Sequence, residues 1–204
     1  MSEDSPAARL LLVEGRDDKH VVIHLRGQHQ QIPEFEVTEK ESISKLVDSI
    51  PAELKVSGRI ALGIMVDGNE NPEARWDSIT GILHSAGIDA PAAIDAAGTI
   101  IEGPPRVGIW LMPDNQSEGE LEDFVSNLVP DEDPVWPRAK DYIDDIPTKD
   151  RKFKHKKRSR AILAAWLATR EDPRQMGLAI KTQDLDANQP PALIFADWLR
   201  RTFD

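Results

Sequence analysis

Ile60-Ala61-Leu62-Gly63-Ile64-Met65-Val66 is a continuous apolar run, closed at once by Asp67-Gly68. Leu10 to Val13 repeats the pattern and ends on Glu14-Gly15. Val107 to Met112 repeats it again and ends on Pro113-Asp114. Apolar runs of this length, bounded by Gly or Pro, read as strands buried on both faces, the condition of a parallel sheet. Phe35-Glu36-Val37 and Gly98 to Glu102 are shorter strand candidates.

Between these runs the apolar spacing turns helical. Asp17 to Arg26 puts Val21, Val22 and Leu25 on one face. Ser42 to Leu54 aligns Ile43, Leu46, Val47 and Ile50. Glu73 to Ala86 aligns Trp76, Ile79 and Leu83, with Gly87 as a stop. Glu118 to Leu128 brings Leu121, Phe124, Val125 and Leu128 together. Strand and helix alternate, which specifies an α/β fold of Rossmann-like kind with a mainly parallel central sheet. This unit is expected over residues 1–130. Residues 131–204 form a helical C-terminal extension packed on it. The extension opens with an irregular connection, since Pro130 to Pro147 holds four prolines and six acids. A helix from about Lys156 to Arg170 and a last one around Pro191 to Arg201 follow.

Composition narrows the chemistry. The 204 residues contain no cysteine, so disulfides and thiolate metal sites are excluded. Any metal is held by oxygen or imidazole, which favours hard cations. No apolar stretch approaches the ~20 residues of a membrane span. Met1 to Ala8 lacks the charged start and apolar core of a leader, so a cytoplasmic protein is expected. The net charge of −11 hides a reversal: Lys149 to Arg160 holds eight Lys or Arg and one Asp. An acidic body with one basic segment is compatible with gripping a polyanion at one place.

Ligands of a parallel sheet bind outside the carboxyl ends of its strands. Three apolar runs deliver a carboxylate there: Glu14, Asp67 and Asp114. Neighbouring strands lie ~4.8 Å apart, so such side chains can share one cation, which would relieve their repulsion. Asp18 follows Glu14 by four residues, and Asn69 follows Asp67 by two. Each has a plainer reading alone: Asp18 as a helix-start charge, and Asp67-Gly68-Asn69 and Asp114-Asn115 as turns. Glu118, Glu120, Glu122 and Asp123 form a second acidic cluster, or else a solvated helix start.

Leu11-Leu12-Val13-Glu14-Gly15-Arg16-Asp17-Asp18 resembles the first motif of Toprim domains, the metal-binding module of topoisomerases, primases and nucleases of the overcoming-lysogenization-defect type. Ile64-Met65-Val66-Asp67-Gly68-Asn69 falls where that family has its Asp-x-Asp motif. Gly108 to Asn115, with Gly119-x-Leu121-Glu122-Asp123-Phe124, resembles a small group of stand-alone bacterial Toprim-like proteins. The resemblance spans roughly residues 9 to 128. It implies that Glu14 is a metal ligand or general acid/base and Asp67 a metal ligand. Asp18 matches the second acid of the nuclease branch. Asn69 departs from the pattern, because an amide oxygen brings no charge to a metal site.

The resulting expectation is Mg2+- or Mn2+-dependent phosphodiester hydrolysis of DNA or RNA, with the effector of a defence system as one setting. One ion is expected on Glu14, Asp18, Asp67 and Asn69, and a second near Asp114, Glu120 and Glu122. Lys154, Lys156, Lys157 and Arg158 would hold the phosphate backbone, with Arg16 and Lys19 nearer the site. The plainer reading of the basic segment is solvated lysines, or docking onto the protein's own acids. Tyr142 has no motif around it, which argues against topoisomerase-type cleavage. Trp136, between prolines, is the one tryptophan expected as an exposed contact, and the histidines form no metal-ligand spacing. The alternative is a non-catalytic or regulatory module partnering a separately encoded ATPase. A calcium loop at Asp67 to Asn71 lacks the Gly and terminal Glu of an EF-hand.

Overall fold

A computed structural model describes residues 6–172 and 174–204, so the polar start at Met1 to Ser5 lies outside the described residues. The three apolar runs are strands β1 (Arg9–Val13), β3 (Ala61–Asp67) and β5 (Arg106–Met112). With β2 (Glu36–Glu39) and β4 (Thr99–Ile101) they form one sheet in the order β2-β1-β3-β5-β4. All neighbours are parallel except β4, which runs antiparallel to β5. The fold is α/β with a mainly parallel sheet, flanked by helices and followed by further C-terminal helices.

Alternation along the central strands builds two cores. Leu10, Leu12, Leu62, Ile64, Val66, Ile109 and Leu111 face one way, against helices α2 (Ile43–Leu54) and α3 (Pro72–Ser85). Leu11, Val13, Met65, Trp110 and Met112 face the other way. There they meet α1 (Arg16–Gln28), α4 (Leu121–Ser126) and the C-terminal helices. A strand covered on both sides has no polar face to show, which is why these runs are uninterrupted.

The C-terminal half differs in detail from the sequence reading. The stretch read as an irregular connection contains helix α5 (Trp136–Asp145). Its prolines do not prevent this, because Pro137 lies in the first turn, where a missing N–H costs nothing. Asp133 Oδ1 also accepts the N–H groups of Val135 and Trp136, each at 2.8 Å. The expected helix from about Lys156 begins as a 3-10 turn, His155–Lys157, and continues as α6 (Arg158–Leu167). A short α7 (Met176–Lys181) precedes α8 (Pro190–Phe203). Trp136 is not an exposed contact: its ring packs edge-on against Trp166, with centroids 6.1 Å apart.

Helix α8 lies directly on the sheet. Gly63 and Gly108 make room for it: a Cβ on Gly63 would come within 2.9 Å of Phe203 Cζ, and one on Gly108 within 2.3 Å of Thr202 Oγ1. Phe203 stacks on Phe35 at 4.1 Å, and Trp110 meets Phe195 and Trp198 at 5.0 and 5.5 Å. The aromatic layer joins both halves of the chain into one core. Among the described residues no helix is long and apolar enough to cross a membrane.

Truncating Phe203, which is fully buried, removes contacts to both Phe35 and the sheet. Phe203→Ala is expected to lower unfolding stability by about 3–5 kcal/mol, as large-to-small core changes do. Urea unfolding should show one transition shifted as a whole. A separate early transition for residues 131–204 would contradict the shared core.

Candidate functional site

Register brings the first two acids together. Leu12 of β1 pairs with Ile64 of β3, so Glu14, just past β1, reaches the last turn of β3. Glu14 Oε1 accepts the backbone N–H of Asp67 at 3.0 Å. Asp67 Oδ1 accepts the N–H of Leu121, the first residue of α4, at 2.9 Å. Gly68 keeps the exit of β3 tight: its N–H bonds Met112 O at 2.9 Å, and a Cβ there would sit 2.8 Å from the same oxygen.

Two helix starts aim further acids at this point. At α1, Asp18 Oδ2 accepts the N–H of Gly15 at 3.1 Å, closing the first turn. At α4, Asp123 does the same for Glu120 N–H at 2.8 Å. Asp18 is therefore a cap and also a wall of the site; the two readings are compatible. Asp18, Glu120 and Glu122 are all buried. The two helix starts supply partial positive charge, which partly offsets the carboxylates.

The basic segment closes over these acids. Lys157 Nζ hydrogen-bonds both carboxylate oxygens of Glu120. Arg160 Nε bonds Glu122 Oε1. Lys156 Nζ lies 3.3 Å from Glu70 Oε1, and Arg158 Nε bonds Asp144 Oδ1 at 2.7 Å. Of the residues expected to grip phosphate, Lys156, Lys157 and Arg158 thus pair with the protein's own acids. Lys154 and Arg16 are exposed, Lys19 is half-buried, and Arg16 turns toward His20. Arg160 and Arg75 are site cations that the sequence reading does not single out. Arg160 lies three residues after Lys157 where α6 begins, a spacing that puts both on one face. Arg75 Nε bonds Asp67 O at 3.2 Å.

Burial and mutual repulsion set the protonation of the cluster. Burial pushes the Asp67 carboxyl up to about 8, with Asp18, Glu14 and Glu120 adding repulsion. Burial likewise pushes Asp18 up to about 7, helped by Glu14 and Glu122. Burial raises Glu14 too, against the Asp67 N–H and the charges of Arg75 and Lys157. Each of these acids feels the others, so they form one electrostatic unit.

The donor chemistry suits a hard dication: oxygen ligands, held together at a cost that positive charge would relieve. Glu14, Asp18 and Asp67 are the residues that would hold it. The shell is not pre-assembled. Among the described residues no three carboxylate or imidazole groups converge on one point as they stand. One oxygen of each of Glu14, Asp18 and Asp67 is engaged by a backbone N–H. Glu14 Oε2 and Asp67 Oδ2 accept no hydrogen bond among the described residues and are the oxygens open to a ligand.

Two expected ligands stand apart. Asp114 turns back on its own loop, where Oδ1 accepts the N–H groups of Gln116 and Ser117 at 3.0 and 2.7 Å. Against the rise that partial burial alone would give, these local bonds hold its carboxyl below the usual range. The structure does not bring it to the site. Asn69 adopts a left-handed backbone (φ 54°) and pairs with Gly119 through both backbone hydrogen bonds, at 2.7 and 2.8 Å. Its Nδ2 donates to Asp67 O at 3.4 Å. It shapes the turn that carries Asp67, a conformation Asn tolerates better than most residues.

A family model described as "Protein of unknown function (DUF3226)" matches residues 8–204, and the chain belongs to that family. No curated protein and no solved structure matches it.

The raised carboxyls make a stability prediction. In the fold, Asp67 and Asp18 keep their protons to about 8 and about 7, above the ordinary carboxylate value. Between about pH 4 and 8 the folded state therefore binds more protons than the unfolded chain, and stability falls as pH rises. Asp67→Asn keeps an oxygen for Leu121 N–H and removes the charge. In chelator, its melting temperature should exceed that of the wild type by a margin at least ~3 °C larger at pH 8 than at pH 5, as 1 kcal/mol moves a chain of this size by ~2–4 °C. An equal margin at both would show that Asp67 is not destabilised by ionisation.

Proposed function

Starting from a family defined without a function, we propose that this protein is a divalent-metal-dependent phosphodiesterase acting on nucleic acid, with a Toprim-type acidic site. One observation carries the reading: half-buried Glu14 and Asp67 at the carboxyl ends of adjacent strands β1 and β3 stand with buried Asp18 of the first turn of α1, their proton affinities raised by burial and, for Asp18 and Asp67, by one another's charge. Their order along the chain is that of the Toprim motifs. The resemblance implies Mg2+ or Mn2+ as the cofactor, and we place the activity in the cytoplasm.

When bound, the cation supplies charge to polarise a phosphoryl oxygen and acidify a water. The chain's own groups do the remainder. Asp67 and Asp18 orient the site, fixed by the N–H groups of Leu121 and Gly15. Glu14, raised above the ordinary carboxylate value by burial, would hold or deliver a proton at its open oxygen, the role of a general acid or base. Arg75, Lys157 and Arg160 offer positive charge at the rim, to which a phosphate backbone can bind without its sequence being read.

A second reading has one observation in its favour. Asn69 sits where the Toprim pattern has a second acid, and its amide is engaged in the turn. That supports a non-catalytic or regulatory module acting as the partner of a separately encoded ATPase.

Purified protein incubated with labelled single- and double-stranded DNA and with RNA should cleave at least one of them in Mn2+ or Mg2+ and none in chelator. Glu14→Gln and Asp67→Asn should each reduce the rate by about 10²–10⁴, the usual contribution of a positioned acid or base. Cleavage that survives both substitutions would refute the assigned site. Metal binding without cleavage of any substrate would favour the module reading.

A further inference from the structure

Four bases stand around the recess, and they are held differently. Arg75 is tied by Nε to a backbone carbonyl, Asp67 O, at 3.2 Å. Lys156, Lys157 and Arg160 reach over from one short stretch of chain, and each takes an acid. Lys156 pairs with Glu70 of the turn between β3 and α3, Lys157 with Glu120 at the start of α4, and Arg160 with Glu122. Glu120 immediately precedes Leu121, whose N–H holds Asp67, so Lys157 sits at the edge of the proposed site. Lys156 lines a cleft of about 180 Å3 together with Asn69, Glu70, Gly119 and Glu120.

The stretch that carries the two lysines is lightly tied. Its main-chain hydrogen bonds are local turns: Asp150 N–H to Pro147 O, Arg151 N–H to Thr148 O and Lys157 N–H to Lys154 O. Among the described residues, no main-chain hydrogen bond joins residues 147–157 to the sheet, to α3 or to α4. Arg151 anchors the stretch at the α5 end through Ile146 O and Asp144 O, each at 2.8 Å, and half-buried Phe153 packs against the core. Beyond Phe153, the turn His155–Lys157 is fastened across the recess by Lys156–Glu70 and Lys157–Glu120.

Ion pairs of this kind yield to competition. Lys156–Glu70 is the more open one, its side chains 48% and 71% exposed, so salt and a competing anion reach it readily. Lys157–Glu120 is more covered, and its release admits water to a buried acid. A nucleic-acid backbone presents a denser row of negative charge to the same lysines than two carboxylates do.

We propose that the turn His155–Lys157 is a latch over the site, closed by the protein's own Glu70 and Glu120 and opened by a polyanion that draws Lys156 and Lys157 away from them. The latch gives the site a closed state in which its lysines are spent on internal acids. It rests on the nucleic-acid reading only for the identity of the polyanion. Arg75, held by a backbone carbonyl, keeps its place in both states.

The chain has no cysteine, so two introduced ones are its only thiol labelling sites. Spin labels at His155→Cys on the turn and Ser78→Cys on α3, both exposed positions, report the separation across the latch by double electron–electron resonance. In low salt and chelator the full chain should show one short distance. High salt, Glu70→Gln/Glu120→Gln, or added single-stranded DNA or RNA should each bring in a second, longer one. In anisotropy titrations of a labelled oligonucleotide, Glu70→Gln should tighten binding about two- to fivefold, the release of one exposed ion pair. Glu118→Gln removes a nearby exposed acid that pairs with no base among the described residues, and should gain less. An unchanged distance in high salt and in the double variant, an unchanged distance with nucleic acid bound, or an equal gain from Glu118→Gln would overturn the latch. Lengthening in salt and in the double variant, with no nucleic acid bound by any form, would keep the latch and remove the nucleic-acid reading. If the double variant fails to fold by circular dichroism, Glu70→Gln and the salt series still decide.

Discussion

The structure is organised around a repulsion. Parallel pairing of β1 with β3 sets Glu14 beside Asp67, and two helix starts add Asp18 and Glu120. Carboxylates crowded this way would be unstable in solvent-poor surroundings if all were ionised. The protein answers in three ways: backbone N–H groups donate to three of the acids, two basic side chains pair with two others, and burial keeps protons on Asp18 and Asp67. Under the proposed function, a divalent cation would displace the protons that Asp18 and Asp67 hold.

Everything that holds this arrangement lies behind it. The sheet is clamped between α2 and α3 on one face and α1, α4 and the C-terminal helices on the other. Helix α8 fits against β3 and β5 only because Gly63 and Gly108 leave the space for Phe203 and Thr202. The C-terminal segment thereby contributes twice. Its apolar helices complete the core under the site, and its basic turn supplies the cations above it. A protein interior packed this closely transmits a change at α8 to the strands that end in the site.

Much of this is legible from the sequence because it is local. An apolar run ended by a carboxylate and a glycine states both a buried strand and the charge at its tip, and Leu10 to Gly15 and Ile60 to Gly68 do so without help from distant residues. What depends on tertiary packing is not legible. Lys157 meets Glu120 across 37 residues and Arg160 meets Glu122 across 38, so nothing in the local pattern of the basic segment names its partners. Asp114 follows a buried strand as Asp67 does, yet the Asx-type turn at Gln116 and Ser117 captures its carboxylate. Helix α5 was hidden by its prolines, since a proline count does not distinguish a first-turn position from a break.

The central claim, that buried carboxylates hold protons which a dication displaces, is tested most directly by calorimetry of Mn2+ binding at pH 7 in buffers of different ionisation heat. With Asp67 held to about 8 and Asp18 to about 7, binding should release about one proton or more, and the release should shrink toward zero by pH 9. Heats identical in every buffer at pH 7, with binding intact, would mean that the acids are already ionised and would contradict the account.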